Sequence, residues 1–230
     1  MKTRKILAIL FFFLLPGFCL AQFSDDFSDG DFTLNPPWQG DQSKFSITTT
    51  RMRLSAPAVA ATAYLTTPNV AIHNAIWEVF VQMDFTPSST NYAKIYLTAD
   101  QANLAGPING YFIKVGNTSR EVSLYRQSGA SETEIIDGLD DRLNVALVKL
   151  RIKVTRSAAG EWQLLSDIGL TGTYLSEGNV ADQTHTVSSF FGVQCIYTAT
   201  RSDKFWFDDF VVSGTAVPDT TPQNEDTVWV

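Results

Sequence analysis

Acidic side chains crowd two places in this sequence. Asp25, Asp26, Asp29 and Asp31 stand near the start, and Asp208 and Asp209 stand near the end. Calcium takes six to eight oxygen ligands, many of them carboxylates. An EF-hand loop does not fit here: with Gly30 as its sixth position, the third is Phe27 and the twelfth is Pro36. Two pairs of carboxylates brought together would repel unless a cation lay between them. The competing reading is that one Asp of each pair faces water and the others cap turns.

A second chemistry is glycoside hydrolysis, which in a retaining enzyme needs two carboxylates about 5 Å apart. Residues two apart on a strand share a face. Glu132-Thr133-Glu134 satisfies that spacing, and so do Glu78, Gln82 and Asp84, but Gln82 stands where a carboxylate is wanted. A third chemistry is sugar recognition, which uses aromatic rings together with polar groups that hydrogen-bond hydroxyls. Tyr92, Lys94 and Tyr96 share one strand face by period two, and Tyr111, Lys114, Tyr125 and Arg126 follow on neighbouring strands. If that face is the concave one, it receives a polysaccharide or a peptide; an ordinary solvated sheet face is the competing reading. Trp38, behind Pro36-Pro37, is the best candidate for a solvent-facing aromatic, or else it plugs one end of the fold.

Other chemistries find little support. The two histidines, His73 and His185, cannot build a three-histidine zinc site, and neither lies in an HExxH motif. No Gly-x-Ser-x-Gly elbow and no Gly-rich phosphate loop is present. Cys195 lies in the apolar run Phe191–Tyr197 with no activating neighbour, which predicts a buried, inert thiol. The chain is therefore expected to be non-catalytic.

The elements that must position these residues read as β-strands. Short runs of β-branched and aromatic residues recur, separated by Gly, Pro, Asn, Asp and Ser. Strands are expected over 45–49, 60–66, 75–85, 92–99, 111–115, 122–127, 132–136, 145–155, 162–166, 188–199 and 204–212. Hairpins are expected at 128–131 and 157–160, with a further turn signal at Asn109-Gly110. In Trp77–Phe85 the odd positions are all apolar, whereas Glu78, Gln82 and Asp84 are even; Leu150–Val154 alternates likewise. Such strands have one buried and one wet face. About a dozen of them predict an all-β fold: a two-sheet antiparallel β-sandwich. No repeat of fixed period suggests a propeller or solenoid.

The chain has 230 residues, 44% of them hydrophobic and 18% charged, with 24 acids against 17 bases. This excludes a disordered chain. The net charge of −7 argues against a nucleic-acid partner. Lys2, Arg4 and Lys5 precede the apolar run 6–15, which Pro16-Gly17 break before Cys19-Leu20-Ala21. Residues 1–21 read as a secretory signal peptide, too short in its apolar run for a membrane span. Pro16 and Phe18 occupy positions where a lipoprotein signal has Leu and a small residue, which disfavours lipidation at Cys19. Removal of the leader takes away three bases and no acids, so the charge becomes −10; it also leaves Cys195 as the sole cysteine. The expected locale is secreted, extracellular or cell-surface. Residues 22–214 read as one domain. Residues 215–230, with Pro218 and Pro222, read as a linker or as the start of a following domain in a longer protein. Asn117-Thr118-Ser119 matches a glycosylation sequon, which has no meaning in a bacterial host.

Phe23–Gly30 and Phe205–Val212 bracket the domain, and between them come Asn109–Lys114, Val122–Gln127, Val154-Thr155-Arg156 and Gly160-Glu161-Trp162. This order resembles concanavalin A-like (laminin-G-like) jelly-roll domains, particularly those at the N-terminus of large secreted bacterial multidomain surface proteins. The resemblance covers residues 23–214. It implies a non-catalytic binding or adhesion module, with a glycan or cell-surface polymer as partner. A structural spacer is the alternative reading. A glycoside hydrolase is the third, disfavoured because hydrolases of this kind carry Glu-x-Asp-x-Glu or Glu-x-Asp-x-x-Glu on one strand and no such motif occurs here. The resemblance also implies a structural Ca2+, held by Asp208 or Asp209 of the closing pair with Asp25 or Asp26 opposite.

Overall fold

The computed structural model describes residues 21–216. The expected leader, apart from Ala21, and most of the expected tail lie outside the described residues.

Fifteen strands are described. They are β1 (Ala21–Asp25), β2 (Gln39–Gly40), β3 (Phe45–Thr48), β4 (Arg51–Leu54), β5 (Ala61–Pro68), β6 (His73–Met83), β7 (Tyr92–Ala99) and β8 (Ile108–Gly116). There follow β9 (Glu121–Gly129), β10 (Ser131–Ile136), β11 (Val148–Arg156), β12 (Glu161–Ile168), β13 (Leu175–Ala181), β14 (Phe190–Tyr197) and β15 (Phe205–Thr215). One antiparallel sheet runs β13-β12-β11-β6-β15-β4-β3, with β1 added against β15. The other runs β10-β9-β8-β7-β14-β5-β2. The architecture is the expected all-β sandwich.

Alternation decides which residues enter the space between the sheets. On β6, Ala75, Trp77, Val79, Val81 and Met83 are buried, and on β11 so are Val148, Leu150, Ile152 and Val154. They meet Ala63 and Leu65 of β5, Ile95 and Leu97 of β7, Ile113 and Val115 of β8, and Val193 and Cys195 of β14. Trp77 and Trp162 stack at 5.6 Å within this core. The thiol of Cys195 is fully enclosed, and burial pushes its pKa well above the ordinary value.

Three local features differ from the sequence reading. Asn109-Gly110 is not a turn but lies within β8, where Gly110 pairs with both Ala99 and Gln127. A Cβ at Gly110 would lie 2.1 Å from the Thr98 carbonyl oxygen, so close backbone approach is what requires glycine. The β1, β2, β4 and β13 strands were not expected. Strands β2 and β4 are only two and four residues long, and β13 is an edge strand with mostly polar, exposed positions, so none of these three carries a strong apolar signal. Asp208-Asp209 forms a β-bulge: β15 advances three residues, from Asp208 to Val211, while β6 advances two, from Phe80 to Glu78. The extra residue, Asp209, takes φ +49°.

Candidate functional site

The outer face of the second sheet gathers an unusual polar-aromatic layer. Strand β7 contributes Tyr92, Lys94 and Tyr96 by period two. Strand β8 contributes Phe112 and Lys114, and β9 contributes Tyr125 and Gln127. Lys94 and Lys114 lie directly opposite each other in the β7–β8 pairing. Like charges so placed repel. Glu132 of β10 relieves this by accepting from both ammonium groups: one carboxylate oxygen takes Lys94, and the other takes Lys114 at 3.2 Å.

The lysines also rest on rings. Lys94 Nζ lies 4.5 Å from the centre of Phe112, and Lys114 Nζ lies 3.9 Å from that of Tyr125. Phe112 and Tyr125 are themselves stacked at 5.2 Å. Such cation–π contacts gain strength where water is excluded, and both lysines are less than a tenth exposed. Burial pulls the Lys94 pKa below the ordinary lysine value, against the opposing pull of Glu132. Burial works to raise Glu132, but the hydrogen bond and charge of Lys94, joined by Lys114, outweigh it and hold the carboxyl below its usual range.

Beside this layer is a cleft of about 420 Å³. Its floor is Lys94, Tyr96, Gln127, Glu132, Gln194 and Thr62, and the segment Leu104–Pro107 forms one wall. The polar groups are fixed in place. Tyr96 Oη donates to Gln127 Oε1 at 2.9 Å, and Gln127 Nε2 donates to the Gly129 carbonyl at 2.9 Å. Gln194 Nε2 donates to the Leu104 carbonyl at 2.8 Å, tying the wall to the sheet.

Tyr111 and Arg126 do not join this layer. Tyr111 is an odd number of residues from Lys114, and Arg126 is adjacent to Tyr125, so the pleat sends both to the opposite face. Tyr111 packs at 4.5 Å from Trp162 and donates to Asp182 at 2.6 Å; Arg126 reaches the other oxygen of Asp182 at 2.5 Å. Trp38 presents no ring to solvent. It is 1% exposed, enclosed by Phe23, Phe27, Phe191 and Phe210, and its Nε1 donates to Asp25 at 2.8 Å.

The aspartates singled out for calcium are divided. Asp25, Asp26 and Asp209 line one cleft of about 520 Å³, with Asp29, Glu78 and Arg151. Asp208 instead pairs with Arg51 at 3.3 Å, and Asp209 pairs with Arg151 at 2.6 Å. The four N-terminal aspartates each accept the backbone N–H two residues on: Phe27, Ser28, Asp31 and Thr33. They are turn caps. Burial raises Asp25 to about 6 even though Trp38 and the Phe27 amide favour its charged form.

A different trio comes together. Among the described residues, Glu121, Asp137 and Asp140 hold carboxylate oxygens within 4.8 Å of one another. Glu121 is 4% exposed, and its Oε2 is buried with no hydrogen-bond partner. Burial, opposed by a hydrogen bond with Ser123 but aided by the neighbouring Asp140, Glu134 and Asp137, raises its carboxyl to about 7. The sequence reading did not single out this trio. Its trace is the acidic run Asp137-Gly138-Leu139-Asp140-Asp141 directly after a strand, but Glu121 is far from that run along the chain.

The carboxylate pairs considered for hydrolysis have other partners. Glu78 pairs with Lys153 at 2.7 Å, and Asp84 accepts from Gln82 and from Trp206 Nε1. Ser128 Oγ lies 3.0 Å from His185 Nε2, but Asp182, the carboxylate nearby in sequence, is engaged by Tyr111, Arg126 and the Thr184 amide.

No family model matches the chain, and no curated protein matches it by sequence. Solved structures do resemble it. The VIP36 exoplasmic/lumenal domain in a Ca2+/Man-bound form superposes with a TM-score of 0.63 at 14% identity, over 88% of this chain and 94% of that one. The same domain in a Ca2+/Man3GlcNAc-bound form gives 0.62 at 14% identity, over 90% and 94%. The Emp47p carbohydrate recognition domain gives 0.60 at 12% identity, over 84% and 95%. The fold is thus the concanavalin A-like jelly roll, in agreement with the resemblance drawn from the sequence. At these identities the likeness concerns the fold. Among the described residues no helix is long and apolar enough to cross a membrane.

Proposed function

We propose that this chain is a secreted, non-catalytic carbohydrate-binding module whose ligand lies in the cleft on the outer face of the second sheet. The observation that carries the reading is the cleft itself: Lys94, Gln127, Glu132 and Gln194 converge on about 420 Å³ of space, each held by a partner within the sheet or its overhanging segment. Hydroxyl groups of a sugar are both donors and acceptors. Amide and carboxylate oxygens on this floor accept from them, and the Lys94 ammonium and the glutamine amides donate to them. Because the side chains are already fixed, little conformational entropy is lost when a ligand docks.

Two further facts support the reading. Solved domains of the same fold are described as bound to Man or Man3GlcNAc, or as carbohydrate recognition domains. The N-terminus has the pattern of a secretory leader, and export would bring the module to extracellular or cell-surface glycans. The non-catalytic assignment rests on the acids having structural partners rather than facing one another across a substrate-sized gap.

A glycan array probed with the protein, in calcium and again in chelator, tests the reading. Binding should be lost when Gln194→Ala and Gln127→Ala are introduced together, with the fold retained by circular dichroism. Absence of any hit in both buffers would favour the spacer reading. A hit that survives both substitutions would move the ligand to another face.

A further inference from the structure

Among the described residues, the carboxylates of Glu121, Asp137 and Asp140 meet at the β8–β9 turn without a basic side chain paired to any of them. Among the described residues none of the three takes part in an ion pair, although most other acids nearby do: Asp141 holds Arg120, Glu177 holds Arg142, and Glu132 holds two lysines. Three carboxylates at this separation repel strongly where water is partly excluded. Glu121 adds a sharper demand. It is 4% exposed and aims an oxygen, Oε2, that no donor reaches. A buried acceptor left without a partner costs about 1–3 kcal/mol, and more when it is charged.

The segment carrying Asp137 and Asp140 is held over Glu121 by backbone, not by the acids. The Gly138 amide donates to Ser123 Oγ at 3.1 Å, the Asp141 amide to the Ser119 carbonyl at 2.8 Å, and the Leu143 amide to the Arg120 carbonyl at 2.8 Å. Gly138 lies so near β9 that a Cβ there would come within 2.2 Å of the Val122 carbonyl oxygen. The acids are therefore pressed together by the fold despite their charge. A hard divalent cation satisfies all of these conditions at once. It neutralises the trio, it partners Oε2, and three carboxylates leave room for water or carbonyl oxygens to complete its shell.

We infer that Glu121, Asp137 and Asp140 form a calcium site that locks the 137–143 segment onto the β8–β9 turn. Glu121 is the buried ligand, and Asp137 and Asp140 close the site from the solvent side. The site differs from the Asp25, Asp26, Asp208 and Asp209 set, whose members are engaged by their own turns and by Arg51 and Arg151. It is structural, and it stands whether or not the cleft on the second sheet binds a glycan.

Isothermal titration of the chelator-treated protein with calcium chloride, alongside thermal melts, tests it. One calcium per chain is expected. At calcium a hundredfold above its Kd, the melting temperature should rise by about 5–10 °C. Glu121→Gln and Asp140→Asn should each weaken calcium binding at least tenfold. In chelator both variants should melt at or above the parent temperature, because each removes a repelling charge. Asp140 is exposed, so its variant carries the test even if Glu121→Gln fails to fold. Asp209→Asn should leave the calcium response intact. The inference is overturned if millimolar calcium produces neither heat nor a melting shift, if both site variants keep the full response, or if Asp209→Asn abolishes it.

Discussion

At the scale of single residues, burial sets the protonation behaviour of this protein. Asp25 and Glu121 are both raised, to about 6 and about 7, chiefly by burial. The folded state therefore holds these protons at pH values where the unfolded chain has released them. Stability from this source is complete below the unfolded carboxylate range near pH 4 and is lost as pH rises through about 6 and then about 7. In chelator, the melting temperature is expected to fall between pH 4.5 and 7. Asp25→Asn should flatten the lower part of that slope and Glu121→Gln the upper part, as thermal melts across the range would show; an unchanged slope in both variants would refute the assignment. Glu132 and Asp182, which are lowered, act in the opposite direction and at lower pH, so they do not mask the effect.

At the scale of elements, the second sheet owes its close packing to positions where a side chain has no room. Gly110 in the middle of β8 is the clearest. Its neighbour on β7 would meet an added methyl group at 2.1 Å through backbone, which cannot rotate away. Gly110→Ala is expected to destabilise the protein by roughly 3 kcal/mol or more, measured by urea unfolding. A loss below about 1 kcal/mol would mean that β7 and β8 separate readily there. The bulge in β15 is the corresponding device in the first sheet. By inserting one residue it keeps Phe207 and Phe210 both buried and places Asp208 and Asp209 both outward, each opposite an arginine. The adjacent acids are thereby explained by the geometry of one strand.

At the scale of the whole molecule, Trp38 closes one end of the sandwich. It touches Phe191 of β14 in one sheet and Phe210 of β15 in the other, at 6.1 and 5.1 Å between ring centres. Among the described residues no strand of one sheet pairs with a strand of the other, so the ring links two separate layers. Trp38→Ala should cost about 3–5 kcal/mol of unfolding free energy, since a large fully buried ring leaves a cavity that rigid sheets cannot fill. The same variant should leave the second-sheet cleft intact, because Trp38 takes no part in lining it. Ligand binding at low temperature, scored on the glycan array, should survive the substitution.

The sequence by itself determined the fold class and most of the strands, because alternation is a local property of the extended backbone. It also determined that Tyr92, Lys94 and Tyr96 share a face and that Cys195 is enclosed. It could not reveal that Gly110 is pressed against Thr98, since that depends on how β8 pairs with β7, twelve residues earlier in the chain. Period two alone parts Tyr111 from Lys114 on their own strand, but placing Arg126 of β9 relative to Lys114 of β8 took the strand register. Only the tertiary structure decided which acids meet. Asp208 and Asp209 turned to arginines across a bulge, whereas Glu121 met Asp137 and Asp140 because backbone hydrogen bonds strap a later segment over β9. Charge alone would have kept those three apart, and the sheet registers that overrule it are summed over the whole chain.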